Sequence, residues 1–251
     1  MIDWKKVRYL KIPWQATDEE ADWLYELWLN EPLASWDVFA KWELERVLSM
    51  RKHLIKGEIL FDIGTESGWC NLVYAKIVGP ENMVLVEPTP EFWHNIKALW
   101  QKNFLSTNPL GCYSGFFSDV TTDTHTSELV KPASIFPIDS NGPLIEKNAY
   151  KYIHTHADQI PQITLDKYVE TTGNKPDALT IDVEGAELLV LKGAKNTLKN
   201  NNVKVWVSEH DDMAQRDYGV KPGKIAAFMK SLGYQREFLA KDHEVHAYYS
   251  K

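Results

Sequence analysis

From residue 59 onward the chain repeats one device: a short apolar run, a turn, then an amphipathic stretch. "EILFDIG" gives way to a helix over about residues 69–78, Gly79-Pro80 breaks it, and "NMVLVEP" forms a second strand. "PEFWHNIKALWQKN" is a second helix, with Pro90 near its start, where the fixed φ of proline is tolerated. Strands this apolar have no polar face to give to water. Both faces must therefore be covered, and strands that alternate with helices run parallel with the helices as the cover. The spacing predicts an α/β fold on a parallel sheet. The pattern resumes with "QITLDKYVE" leading into a short helix, the strand "DALTIDVEG", the helical "AELLVLKGAKNTLKN" and the strand "VKVWVSEH". "KIAAFMKSLG" is a helix that ends at Gly233, and "YQREFLA" with "HEVHAYYSK" closes the sheet as an antiparallel pair.

Ahead of this repeat, residues 1–16 read as irregular. "TDEEADWLYELWLN" reads as a helix capped by Thr17 or Asp18, with Trp23, Leu24, Leu27 and Trp28 at helical spacing and Pro32 as its stop. A second helix is expected over about residues 36–53. Many of the 10 tryptophans fall in the first hundred residues, which suggests aromatic faces packed on the core or on a partner. Residues 121–161 are polar and carry Pro132, Pro137, Pro143 and an Asn141-Gly142 turn; so long a stretch inside one domain is expected to be a functional loop or lid. The 251 residues suit one large domain better than two.

Formal net charge is −7, which disfavours a grip on nucleic-acid phosphates. No apolar run approaches the ~18 residues of a membrane span. The opening "MIDWKKVRYLKIPW" lacks the continuous apolar segment of a secretory signal. Cys70 and Cys112 have no metal-type spacing and fit a reduced, cytoplasmic setting.

Ligands of open parallel sheets settle at the carboxyl ends of the strands. Gly64 and Gly68 lie in the turn that leaves the first strand, where the backbone can approach a ligand. Asp62 just before them would repel a pyrophosphate but accepts hydrogen bonds from an ammonium group. Together with the missing G-x-G-x-x-G, this argues for a nucleoside that bears an amino acid rather than a nicotinamide dinucleotide. Glu87 ends the second strand, where one carboxylate accepts both hydroxyls of a ribose. Ser118 and Asp119 follow two aromatics on an apparent third strand; they are a turn signal or a pair for an adenine edge. Asp182, Glu184 and Glu187 crowd a strand end and a helix start around Gly185. That is more acid than a helix dipole requires, and it calls for a cationic ligand or a metal. Glu209 and His210 follow the next strand: His210 is a candidate general base, and Glu184, Glu209 and His210 together are a candidate divalent-metal set. His154 and His156 resemble half of a metal site in a polar loop, a place where histidines are usually just exposed.

"DIGTESG", "VEPTPE" and above all "TLDKY" followed by "DALTIDVEGAELLVLKGA" resemble the FkbM family of S-adenosylmethionine-dependent methyltransferases, from about residue 43 to the end. The D-x-E-G-x-E-x-x-V-L-x-G string is the specific part. The resemblance implies a Rossmann-like class I methyltransferase with a seven-stranded, mostly parallel sheet over residues 55–251. It leaves a Trp-rich helical extension over 1–54 for the acceptor. It implies O-methylation of a small-molecule or glycan hydroxyl. Asp62 and Gly64 would border the methionine part of the cofactor, Glu87 would take the ribose, and Ser118 and Asp119 the adenine side. Asp182 would lie under the methionine end, and Thr65, Gly68 and Pro88 belong to the same cofactor set. From strand-end placement rather than from the resemblance, the catalytic set is His210 as base, with Glu184 and Glu209 as substrate or metal contacts. Thr65 and Glu66 depart from the Ala and Asn usual there. Two other readings compete: a nicotinamide-dependent oxidoreductase, and a non-catalytic binding module that holds a partner on its Trp-rich front. A nucleic-acid methyltransferase is disfavoured by charge and by the lack of an N/D-P-P-Y/F motif.

Overall fold

In the computed structural model, residues 4–8, 26–30, 44–123, 136, 159–241 and 244–251 are described. The first strand of the repeat, Leu60–Ile63 (β3), sits inside a seven-stranded sheet ordered β10-β11-β9-β8-β3-β4-β5. Met83–Val86 (β4) and Gly111–Tyr113 (β5) lie on one side of it. Ala178–Ile181 (β8), Lys204–Glu209 (β9), Val245–Ser250 (β11) and Gln235–Lys241 (β10) lie on the other. β5, β4, β3, β8 and β9 are parallel. β11 is antiparallel to both β9 and β10, so the expected closing pair forms.

Period-2 alternation sorts the strand residues onto two faces. Leu60, Met83, Leu85 and Trp206 join one apolar cluster with Leu44–His53 (α1), Cys70–Val78 (α2) and Phe92–Phe104 (α3). Phe61, Ile63, Val84, Val86, Val205 and Val207 join the other with Leu165–Thr172 (α4), Glu187–Gly193 (α5), Lys195–Asn200 (α6) and Lys224–Ser231 (α8). This is the helix-covered parallel sheet that the sequence pattern predicts. β3 and β8 are neighbours although far apart in sequence, so the strand order switches there, the place where open α/β sheets form their ligand crevice at the carboxyl ends.

Several local expectations are corrected. Glu26–Asn30 (β2) is a strand, paired antiparallel with Trp4–Arg8 (β1), where a helix and an irregular segment were expected. Leu27 and Leu29 are both fully buried, so period 2 rather than helical spacing governs this stretch. The hairpin is tied to α3: Trp28 N–H donates to Asn103 Oδ1 at 2.9 Å, and Asn103 Nδ2 donates to Trp28 O at 2.9 Å. The expected second helix is described over Leu44–His53; residues 36–43 lie outside the described residues. Phe116–Phe117 (β6) is not the third strand of the main sheet but pairs with Gln162–Ile163 (β7) in a separate parallel pair. The single helix expected from residue 186 is split at Ala194 into α5 and α6. A helix that the sequence pattern did not reveal, Asp211–Tyr218 (α7), follows His210. Most of the expected lid, with His154 and His156, lies outside the described residues. Among the described residues no helix is long and apolar enough to cross a membrane.

Candidate active site

The loop after β3 is pressed between two strand ends. Gly64 has φ +90°, a conformation that side chains disfavour, and a Cβ there would stand 1.7 Å from the Asp182 carbonyl oxygen. Its N–H and that of Thr65 both donate to Val86 O, at 3.0 and 3.1 Å. Thr65 Oγ1 donates to Asp62 O at 3.2 Å. Gly68, at φ +88°, would put a Cβ 3.0 Å from the Ile96 side chain on α3. The two glycines thus let the loop sit tight against β8 and α3 while Asp62 stays buried at the strand end. Glu66 is exposed.

Glu87 ends β4 and is buried. Its Oε2 accepts the Glu66 N–H at 2.9 Å and its Oε1 accepts the Thr89 N–H at 2.8 Å. Burial pushes its carboxyl up to about 7, against these hydrogen bonds, which favour the charged form. Pro88 beside it is half-buried. Ser118 is buried, its N–H on Ile163 O at 3.0 Å, and Asp119 is exposed. In the same loop and the first turn of α2, Ser67 Oγ and both side-chain polar atoms of Asn71 are buried with no hydrogen-bond partner among the described residues. Acids at two adjacent strand ends, with buried polar groups that lack a partner in the loop and helix start that follow, suit a nucleoside that carries an amino acid.

The second half of the crevice is anionic. His210, just past β9, is buried and its Nδ1 donates to Glu187 Oε1 at 2.9 Å. Its Nε2 donates to Glu244 Oε2 and stands 3.8 Å from both Asp182 Oδ1 and Glu184 Oε2. Burial opposes charge on this ring, but the bonds to Glu187 and Glu244 and the charge of Asp182 outweigh it and push the imidazole up to about 12. The carboxylates around the ring thus favour its charged form. Glu184, at φ +53°, projects from the turn before α5 with half its side chain exposed. Burial, with Asp182, Glu244 and Glu187 close by, raises its carboxyl, against the pull of His210.

Asp182 is anchored from below. Arg46 on α1 reaches its Oδ2 at 3.1 Å and Ser208 Oγ at 2.7 Å, and Ser208 Oγ donates to the same Oδ2 at 3.1 Å. Asp182 and Ser208 continue the β8–β9 register, and His246 lies opposite Ser208 on β11. Glu209 is the correction in this set. As the neighbour of Ser208 on a strand it points to the other face, where Arg236 Nη2 meets it at 2.9 Å and Tyr249 donates to it. It does not join Glu184 and His210; Asp182 takes its place, and the donor atoms of Asp182, Glu184 and His210 lie within 4.8 Å of one another. Sequence reading missed Arg46, Ser208 and Glu244, and it gave Glu187 no role beyond the acidic cluster.

The sequence of residues 62–236 matches the model of the methyltransferase FkbM domain. The structure of methyltransferase FkbM from Methylobacillus flagellatus KT is similar over 79% of this chain and 44% of its own, with 13% identity and a TM-score of 0.51. The chain thus spans less than half of that protein's length. Precorrin-6y C5,15-methyltransferase from Geobacter metallireducens GS-15 is similar at 13% identity over 86% of this chain and 91% of its own, TM-score 0.47. A SAM-dependent methyltransferase from Aquifex aeolicus is similar at 14% identity over 83% and 91%, TM-score 0.43. Against curated protein sequences the chain has no significant match. The sheet order, the crevice at the β3–β8 switch and the matched stretch agree: this chain belongs to the FkbM methyltransferase family.

Proposed function

We propose that the chain transfers the methyl group of S-adenosylmethionine to a hydroxyl of a small molecule or glycan. Family membership supports methyl transfer. The observation that carries the cofactor reading is Glu87, a buried carboxyl at the end of β4 whose oxygens each hold one loop N–H and retain capacity for ribose hydroxyls. Asp62 takes the ammonium group, Gly64, Thr65 and Gly68 let the backbone close on the methionine part, and Pro88 shapes the turn after Glu87. Ser118 and Asp119 serve the adenine side. When bound, S-adenosylmethionine supplies a methyl already activated on a sulfonium. The protein's task is alignment of the acceptor oxygen in line with the departing sulfur, and positioning is the main term. Asp182, Glu184 and His210 form the acceptor side of the crevice, with Arg46 and Ser208 holding Asp182 in place. The front of the chain (residues 1–54) and the stretch 121–161 are the segments proposed to select the acceptor.

Thermal unfolding with S-adenosylhomocysteine and, separately, with NADH tests the cofactor. A ligand held only by the folded state at about a hundred times its Kd stabilises by ~2.7 kcal/mol, so the first should raise the Tm and the second should not. A shift with NADH alone would replace this reading with the oxidoreductase. Release of label from methyl-labelled cofactor across a panel of hydroxyl acceptors tests the chemistry. Cofactor binding with no transfer to any of them would favour a binding module.

A further inference from the structure

We infer that Asp182, Glu184 and the Nε2 of His210 form a binding site for one divalent cation of the Mn2+ type, on the acceptor side of the crevice. The inference deepens the methyl-transfer reading by giving the acceptor oxygen a partner.

Geometry is the first support. Asp182 Oδ1 and Glu184 Oε2 each stand 3.8 Å from His210 Nε2, and the three donor atoms fall within 4.8 Å of one another. Donors ~2.1 Å from a common first-row cation lie roughly 3–4 Å apart, so side-chain adjustments in which Glu244 gives up its contact with Nε2 bring all three onto one ion. Asp182 is half committed in the way a ligand needs: Arg46 and Ser208 fix Oδ2, and Oδ1 is turned toward His210.

A second, independent observation comes from behind the ring. A metal-bound imidazole nearly always donates its other N–H to a carboxylate, which sets the tautomer and the ring plane. Glu187 does this for His210, with Oε1 2.9 Å from Nδ1 and 2.8 Å from the Gly185 N–H. Glu187 is fully buried, and its Oε2 has no hydrogen-bond partner among the described residues. A buried carboxylate with an unsatisfied oxygen is costly unless positive charge stands close by. Among the described residues, the ion pairs around His210 gather four carboxylates, Asp182, Glu184, Glu187 and Glu244, against two imidazoles, His210 and the His246 that pairs with Glu244, and the guanidinium of Arg46. A cation at Nε2 would add positive charge among these carboxylates in place of the Glu244 contact, leaving Nδ1–H on Glu187. Two oxygens and one nitrogen suit Mn2+ better than a soft, thiolate-seeking ion. Half of the Glu184 side chain is exposed, so one side of the ion would face the crevice and accept an acceptor oxygen, whose hydroxyl it would acidify.

The test uses the full chain, stripped with a chelator and with no S-adenosylmethionine present. Mn2+ is titrated in, and loss of the free-ion EPR signal is read. One equivalent should bind per chain. Glu184→Gln, at a half-exposed position, should weaken binding about tenfold or more, and Glu187→Gln, through the ring it holds, by about 10–100-fold. Glu170→Gln, on the exposed face of α4, should bind as the parent does. Pulsed EPR of the parent protein should show nitrogen coupling from a directly bound imidazole, a readout that no variant's folding can confuse. Absence of saturable Mn2+ binding, of that coupling, or of any loss in Glu184→Gln that still responds to S-adenosylhomocysteine would overturn the site. Intact Mn2+ binding without any response to S-adenosylhomocysteine would overturn the methyl-transfer reading and leave the site standing.

Discussion

Glu87 shows how burial can set a residue's task. An ordinary glutamate would be ionised throughout the neutral range, but this one is shielded from water and its carboxyl is raised to about 7 from 4.5. In the folded chain without cofactor the proton is retained to higher pH than in the unfolded chain. The stability that this proton lends is fully present below about pH 4.5 and is lost as pH rises through about 7. On the proposed reading, ribose hydroxyls would donate to the carboxylate form, so cofactor binding would expel the proton. Affinity for S-adenosylhomocysteine should therefore rise between pH 6 and 8 on the order of tenfold, with a binding enthalpy that depends on the buffer's own ionisation. Isothermal titration in two buffers measures both. Glu87→Gln should flatten the pH dependence and weaken binding at every pH; an unchanged profile would remove Glu87 from the ribose site.

At the scale of the element, the β1–β2 hairpin shows why helical spacing misled. "YELWLN" satisfies a helical stripe and a two-residue alternation equally well over so short a run. The partner decided: β2 lies on α3, where Asn103 takes both the N–H and the C=O of Trp28 and the Lys102 ammonium stands 4.5 Å from the Trp28 ring centre. An amide that satisfies two backbone groups is worth more than its own bond, since its loss leaves both unsatisfied. Asn103→Ala should cost about 1–3 kcal/mol, read as a lower urea midpoint, while binding of S-adenosylhomocysteine persists because the β3–β4 loops are untouched. The same logic separates the halves of the acidic site. Acids at strand ends could be recognised from the motif string alone, as Asp182 and Glu184 were. Arg46, Ser208 and Glu244 could not, because each reaches the cluster from another element and none carries a local signal. Glu209 was misplaced for the opposite reason: adjacency to His210 in the chain suggested adjacency in space, and strand alternation sends it to the other face, onto Arg236 and Tyr249.

At the scale of the whole molecule, the two halves of the site are held together where the loop after β3 meets the end of β8. Gly64 after β3 and Asp182 after β8 come from distant parts of the sequence and meet at the strand-order switch. With no room for a Cβ at 1.7 Å from the Asp182 carbonyl, Gly64→Ala must push the two loops apart. It should lose S-adenosylhomocysteine binding and lower the Tm by several degrees, consistent with a few kcal/mol from steric overlap and unfavourable φ, measurable by scanning calorimetry. A parent-like Tm would show that the loops do not close on each other in this way. The sequence by itself determined the alternation of apolar strands and helices, and hence a covered parallel sheet, together with the glycine loop and the acids at strand ends. Those features rest on periodicity and on residue chemistry, which are local. The tertiary structure alone decided which carboxylates share the imidazole, that Arg46 braces Asp182 and that Glu209 turns away. These depend on register across β8, β9 and β11 and on the placing of α1 against them, and register is fixed by packing between elements that the linear chain keeps apart.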